Sequence, residues 1–388
     1  MLAATVKRFT CLRCKSANVT DPDQSICDRC KKELRRPFWT NGIATLYQAD
    51  ARQIPIPDQS VHCVVTSPPY FGLRVYRSDS DAMIGLEETV PGWIDSMLEV
   101  MAEVKRVLRD DGVLWVNLGD SYGHGTSSGR QRSPTDGLGD GTMDAQNAVN
   151  RNGQDAGQLL MIPARFALAM QDAGWILRSD VIWAKKSPMP ESVAGTRWEG
   201  DTLRRGSWRC TSSHEHLFQF VKSMGYYSDG EAVKTAATEV SRKVHANGSQ
   251  NDTPNNNNPM GSLGSQSNAN RRNVWSDISP EPYGGEHYAT FPSDLPRLCI
   301  QASTSEAGVC ADCGSQWARV VDATEWRPTC TCNADKVPAT VLDPFAGTGT
   351  TLLAAMRLGR RSVGVDLSTD YLAQAVKRLE KQPLPMLI

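Results

Sequence analysis

Val341-Leu342-Asp343-Pro344-Phe345-Ala346-Gly347-Thr348-Gly349-Thr350-Thr351 is the stretch that decides the fold of this chain. Val341-Leu342 reads as the end of a buried strand, and a glycine-bearing turn follows directly. Thr351–Leu358 then reads as a helix. Gly347 and Gly349 let backbone approach a ligand where a Cβ would clash, and the helix N-terminus offers free N–H groups. Arg361–Val365 is a second strand that runs into Asp366. That acid stands about 20 residues past the glycines, where a βαβ nucleotide site sets a carboxylate on ribose hydroxyls. Thr340–Leu379 is therefore one strand–loop–helix–strand–helix unit, and it predicts an α/β, Rossmann-like core.

The turn departs from the three-glycine dinucleotide fingerprint, because Thr351-Leu352 stands where the spaced third glycine would be. Nicotinamide dinucleotide is the competing ligand, and Asp343-Pro344-Phe345 favours S-adenosylmethionine. Asp343, Pro344, Phe345, Gly347, Gly349, Thr350 and Asp366 are the candidate cofactor-binding residues of this unit.

Working outward, residues 42–120 alternate strand and helix signals. Ile43–Tyr47 is a strand candidate, and Ser60–Thr66 is a short buried strand that runs into Ser67-Pro68-Pro69-Tyr70. Val90–Leu108 has helical spacing, with Trp93, Met97, Val100, Met101, Val104 and Leu108 on one side. Asp110-Asp111-Gly112 is expected to stop that helix. Val113–Leu118 is entirely apolar except Asn117, as a strand buried on both faces would be. Residues 123–157 read as a long loop. Leu159–Gly174 returns to helix, Trp175–Trp183 and Leu217–Lys222 to strand. Asn247–Arg272, with its run Asn255–Asn258, is low-complexity.

Ser67-Pro68-Pro69-Tyr70 leaves its strand at the C-terminal end, where open α/β sheets place their sites. Two prolines stiffen the loop and remove two N–H donors. Carbonyl acceptors and the Ser67 hydroxyl remain, a polarity that suits an NH₂ donor. Drawing both amine hydrogens into acceptors frees the nitrogen lone pair for attack on a sulfonium methyl. Tyr70 can stack on a base taken out of a helix. Ser67, Pro68, Pro69 and Tyr70 are thus the candidate catalytic residues.

The chain has 388 residues, 40% of them hydrophobic, and a formal net charge of −1. It is long enough for a large core with insertions, and its balance excludes a globally basic nucleic-acid binder. A local basic patch does exist at residues 7–36, with Lys7, Arg8, Arg13, Lys15, Arg29, Lys31, Lys32, Arg35 and Arg36 against four acids. No stretch reaches the roughly 20 apolar residues of a membrane span, and Lys7 and Arg8 interrupt any signal-peptide core. A cytoplasmic protein is expected, with cysteines as thiols or metal ligands.

The eleven cysteines include two such candidate sets. Cys11-x-x-Cys14 and Cys27-x-x-Cys30 have the spacing of a structural zinc site. Cys310-x-x-Cys313 with Cys330-x-Cys332 is a second set. Cys63, Cys210 and Cys299 read as buried packing. His214 and His216 alternate on a strand and are expected to make polar contacts or lie exposed.

These motifs together resemble the amino-methylating DNA methyltransferases, and more narrowly their permuted β-type arrangement, in which Pro-Pro-Tyr precedes the cofactor motif. The resemblance covers most of residues 42–380. It implies a Rossmann-like S-adenosylmethionine-dependent methyltransferase core acting on double-stranded DNA. It also implies that Asp50 meets the cofactor's adenine, and that Phe291 and Pro292 pack around its methionine part. Asp180–Lys185 looks like the strand that ends in Trp and Lys beside the target base. Ser67 before Pro-Pro-Tyr is commoner among cytosine-N4 enzymes and Asp among adenine-N6 enzymes, so cytosine N4 comes first and adenine N6 is the alternative. A bacterial or phage modification enzyme is implied, with a cognate restriction endonuclease as a partner such an enzyme can have. An RNA or protein-amide methyltransferase, and a non-catalytic zinc DNA-binding protein, are the other readings.

The expected organisation is a zinc-binding head at 1–38, the catalytic half of the core at 42–185 and a DNA-recognition region at 186–285. A cofactor-methionine segment at 286–304, a second zinc knuckle at 305–337 and the cofactor-binding half at 338–388 complete it. Arg197, Arg204, Arg205, Arg209 and Lys222 among Trp198 and Trp208 are the basic and aromatic residues that suit a DNA groove.

Overall fold

The computed structural model describes residues 36–72, 83–123, 157–188, 195–204, 206, 208–236, 268–279, 291–320 and 325–383. Cys11, Cys14, Cys27 and Cys30, Arg205, and nearly all of the 123–157 and 247–272 stretches lie outside them.

One nine-stranded mixed sheet forms the core. Its strands are β1 (Trp39–Thr40), β2 (Ala44–Gln48), β3 (Val61–Thr66), β4 (Leu108–Leu118), β5 (Ile176–Ala184), β6 (His214–Val221), β7 (Val274–Trp275), β8 (Thr340–Asp343) and β9 (Arg361–Asp366). Their spatial order is β1-β2-β9-β8-β3-β4-β6-β5-β7. The run β2-β9-β8-β3-β4 is parallel, and β6 lies antiparallel between β4 and β5. The cofactor unit is thus inserted between two strands of the N-terminal half. The expected α/β core is present.

Helices α1 (Val90–Val107) and α2 (Ile162–Asp172) pack on one face, over Val64, Leu114, Val116 and Phe220. Helices α3 (Asp294–Ser303), α4 (Thr350–Arg357) and α5 (Thr369–Glu380) pack on the other. In β4, Leu114 and Val116 face α1 while Val113 and Trp115 face α3, the alternation expected of a strand covered on both sides. Helix α1 begins where the Thr89 hydroxyl accepts from Gly92 N at 3.1 Å, and Lys105 and Arg106 favour its negative C-terminal end. Its Trp93, Met97, Val100, Met101 and Val104 are buried, as the spacing predicts.

Three local expectations need correction. Asp110-Asp111-Gly112 does not stop α1, because Leu108 already turns extended and β4 starts there. Those residues form a bulge instead: the register jumps from Val61 opposite Leu108 to Cys63 opposite Val113. Helix α2 starts at Ile162 rather than Leu159, because Leu159 pairs with Tyr122 as extended backbone. Cys63 and Cys299 are buried, but Cys210 is exposed, standing in the irregular segment before β6.

The 305–337 insertion leaves α3 and returns directly into β8. It carries two small antiparallel ribbons, Val309–Cys310 with Lys336–Val337 and Ala318–Arg319 with Trp326–Arg327. No helix among the described residues is long and apolar enough to cross a membrane.

Candidate active site

Strands β2, β9, β8 and β3 run parallel, so their C-terminal ends bring Asp50, Asp366, Asp343 and Ser67 to one edge of the sheet. At its centre Asp343 is buried. Its carboxylate accepts from Thr66 Oγ1 at 2.8 Å, Thr351 Oγ1 at 2.7 Å and the Phe345 N–H at 3.1 Å. Burial pushes its pKa up to about 6, the Asp366 charge adds to this, and the hydrogen bonds oppose it. Asp343 therefore sits beneath the glycine turn and joins it to the last residue of β3.

The turn itself is shaped by its neighbours. Gly349 has φ +80°, and a Cβ there would stand 3.1 Å from Ala375 Cβ of α5. Gly347 has φ +48°, and a Cβ on it would meet nothing nearer than 4.0 Å, so the chain leaves room on that side. The Gly347 N–H donates to Asp366 Oδ2 at 2.8 Å, and the Ser368 N–H to Asp366 Oδ1 at 2.8 Å. Burial raises the Asp366 pKa. Arg378 of α5, which sequence reading missed, donates to the Thr348 carbonyl at 2.8 Å and to Thr350 Oγ1 at 3.2 Å. Pro344 is buried and Phe345 half-buried against the α1-side core. Asp50 is paired with Arg52 at 2.7 Å. Phe291 packs against the α3-side core, and Pro292, buried, leads into α3.

Beside the turn, Ser67-Pro68-Pro69-Tyr70 is held from three sides. Trp93 Nε1 of α1 donates to the Pro69 carbonyl at 3.0 Å. The Tyr70 hydroxyl donates to Glu215 Oε2 at 2.8 Å and receives Asn117 Nδ2 at 3.1 Å, with Ser67 Oγ 3.5 Å away. Lys185 makes a short ion pair with the other Glu215 oxygen and lies over the Trp183 ring. A Cβ on Gly119 would stand 2.9 Å from Tyr70 Cε2, so only glycine admits the ring in this position. Burial first, and then the Glu215 charge, raise the Tyr70 pKa well above the usual phenol value. Asn117 Nδ2 also donates to Glu215 at 2.6 Å, which fixes the amide orientation and leaves buried Asn117 Oδ1 without a donor among the described residues.

Glu215, Asn117 and Trp93 were not singled out from sequence as site residues. The signal for Asn117 was there, as the lone polar residue of Val113–Leu118. Glu215 lies between His214 and His216 and had no signal of its own. His216 pairs with Asp180 at 2.9 Å, the polar contact expected of it.

The proposed recognition residues divide. On a surface hairpin, Arg197–Glu199 with Thr202–Arg204, Glu199 pairs with Arg197 along its own strand and with Arg204 across the turn. Trp198 and Trp208 are 68% and 73% exposed, and Arg209 lies 3.6 Å over the Tyr122 ring. Lys222 does not belong with them: antiparallel β6 carries it to the opposite end of the sheet, where it pairs with Asp110 at 3.0 Å.

A protein-family model described as DNA methylase matches residues 61–319 and 330–377. The chain is 35% identical to the type II methyltransferase M.Cfr9I of Citrobacter freundii over 352 residues, covering 90% of this chain and 92% of that one. It is 32% identical to the type II methyltransferase M.SmaI of Serratia marcescens over 317 residues, covering 82% and 83%. Among solved structures, PvuII DNA methyltransferase (cytosine-N4-specific) shares the fold, with a TM-score of 0.52, 18% identity and 88% of each chain covered. With the Ser-Pro-Pro-Tyr loop and the glycine turn meeting at one sheet edge, the chain belongs to the N6/N4 DNA methylase family.

Proposed function

We propose that this protein transfers a methyl group from S-adenosylmethionine to the exocyclic amine of a base flipped out of double-stranded DNA, cytosine N4 first and adenine N6 as the alternative. The observation that carries it is the shared carboxylate of Asp343, which ties the glycine turn to the strand end bearing Ser67. The open side of Gly347 and the Asp366 carboxylate beside it fit a nucleoside-bearing cofactor. Asp366 would hold its ribose, Asp50 its adenine, and Phe291 and Pro292 its methionine part. Bound there, S-adenosylmethionine supplies an electrophilic methyl on a sulfonium sulfur.

The chain's own residues do the rest by positioning and electrostatics. Ser67 Oγ and the Pro68 carbonyl accept both amine hydrogens and aim the nitrogen lone pair at the methyl. Tyr70, fixed at its hydroxyl by Glu215 and Asn117, offers its ring to the flipped base. A new N–C bond forms as the S–C bond breaks, and the amine then loses its extra proton. No cysteine nucleophile is required. Ser67 supports cytosine N4.

The type II names of the relatives support a modification role in the cytoplasm, beside a cognate restriction endonuclease. The spacing of Cys11, Cys14, Cys27 and Cys30 supports a structural zinc in the head at 1–38. The test is mass spectrometry of nucleosides from DNA incubated with the protein and isotopically labelled S-adenosylmethionine. Labelled N4-methylcytosine is expected. Labelled N6-methyladenine would overturn the base assignment, and no label in varied DNA despite cofactor binding would overturn methyl transfer to DNA.

A further inference from the structure

Cys310, Cys313, Cys330 and Cys332 converge below the sheet, with their Sγ atoms all within 4.8 Å of one another. A zinc tetrathiolate with bonds of about 2.3 Å has S···S edges of about 3.8 Å, so a small closure would bring these sulfurs around an ion. The turn at the first pair is already formed. The Gly314 N–H donates to the Cys310 carbonyl and the Cys310 N–H to the Ser315 carbonyl, both at 2.9 Å. Gly314 takes φ +71°, a backbone conformation that favours glycine, and a Cβ there would displace the Arg109 guanidinium, whose Nη1 stands 2.6 Å away. Asn333, just past Cys332, is also left-handed, at φ +53°. Among its described residues the insertion buries only Val309 and Cys310 as apolar side chains. A segment with so little core needs another source of order, and metal binding provides one.

The same turn is joined to the catalytic sheet. His62, the second residue of β3, accepts the Thr340 N–H at Nδ1, at 3.0 Å. That fixes the imidazole proton on Nε2, which donates to the Gly314 carbonyl at 3.0 Å. Arg109 of β4 donates to the Cys313 carbonyl at 2.9 Å. One knuckle thus contacts the starts of β3 and β4 and reaches the start of β8 through His62. We propose that Cys310, Cys313, Cys330 and Cys332 hold one zinc ion, and that the metal-closed knuckle braces the bases of β3 and β8, whose far ends carry Ser67 and Asp343. The metal assignment stands independently of the methylation reading, whereas the meaning of the brace rests on it.

Full-length protein and the Cys330→Ser/Cys332→Ser variant are compared by elemental analysis and by the thiolate-to-metal absorption of their cobalt-substituted forms. Zinc per chain should fall by one in the variant, with a matching loss of cobalt absorption. Equal zinc in both proteins overturns the site. Hydrogen exchange followed by mass spectrometry tests the brace. Residues 61–66 and 340–343 should exchange about tenfold faster in the Cys330→Ser/Cys332→Ser variant, while 369–380 stay unchanged. His62→Gln should keep its zinc and yet show the same faster exchange at 61–66. Unchanged exchange there in either protein, or equal acceleration in every segment, overturns the brace. None of these readouts requires methyl transfer, so they fail or succeed separately from the nucleoside assay.

Discussion

Replacing Asp343 with Asn should stabilise this protein, and by an amount that depends on pH. Burial raises the Asp343 carboxyl from 3.8 to about 6. The folded state therefore keeps a proton that the unfolded chain releases between about pH 4 and 6, and stability falls as pH rises through that window. Above it the folded protein carries a fixed ionisation penalty of about 3 kcal/mol. Asparagine has the same shape and no charge, and the hydrogen bonds can be kept. Its Oδ1 would accept from Thr66 and the Phe345 N–H as the carboxylate does. Its Nδ2 would donate to Thr351 Oγ1, whose own hydrogen already has the Val65 carbonyl 3.2 Å away. Urea unfolding of both proteins at several pH values measures the effect. The variant should be more stable by about 3 kcal/mol at pH 7.5 and by about half of that at pH 5, with the gap nearly closed by pH 4. A gap that is flat with pH, or a variant less stable at every pH, would refute the reasoning and show that the hydrogen bonds outweigh burial.

Three further changes probe the site. Glu215→Gln should lower the Tyr70 pKa, seen in a phenolate absorbance titration, and reduce turnover about tenfold with cofactor affinity unchanged, because Glu215 positions Tyr70 and does not meet the glycine turn. Tyr70→Ala should weaken turnover more than cofactor binding, and loss of cofactor binding with turnover of bound cofactor spared would misplace Tyr70. Gly349→Ala puts a side chain at φ +80° and 3.1 Å from Ala375, and should cost about 1–3 kcal/mol of stability in urea melts and weaken cofactor binding in calorimetry.

Much of this protein was readable along the chain. The unit from Val341 to Asp366, the buried strand that ends at Ser67, and the apolar face of α1 are local patterns. Each depends on residues a few positions apart, so periodicity and turn chemistry report them directly. The four cysteines of the 305–337 insertion were likewise marked by spacing, and the structure brings their sulfurs together. Strand order was not local. Placing β8 beside β3 sets Asp343 on Thr66, 277 positions earlier. Placing β6 antiparallel between β4 and β5 sets Glu215 against Tyr70, 145 positions earlier, and carries Lys222 away from the site. The bulge at Asp110-Asp111-Gly112 and the exposed Cys210 also follow from what those residues pair with or leave unpaired. The sequence by itself marked the candidate groups for holding an amine and a nucleoside. Only the tertiary structure decided which distant side chains hold those groups in place, because a side chain's burial and partners are set by the strand that arrives beside it.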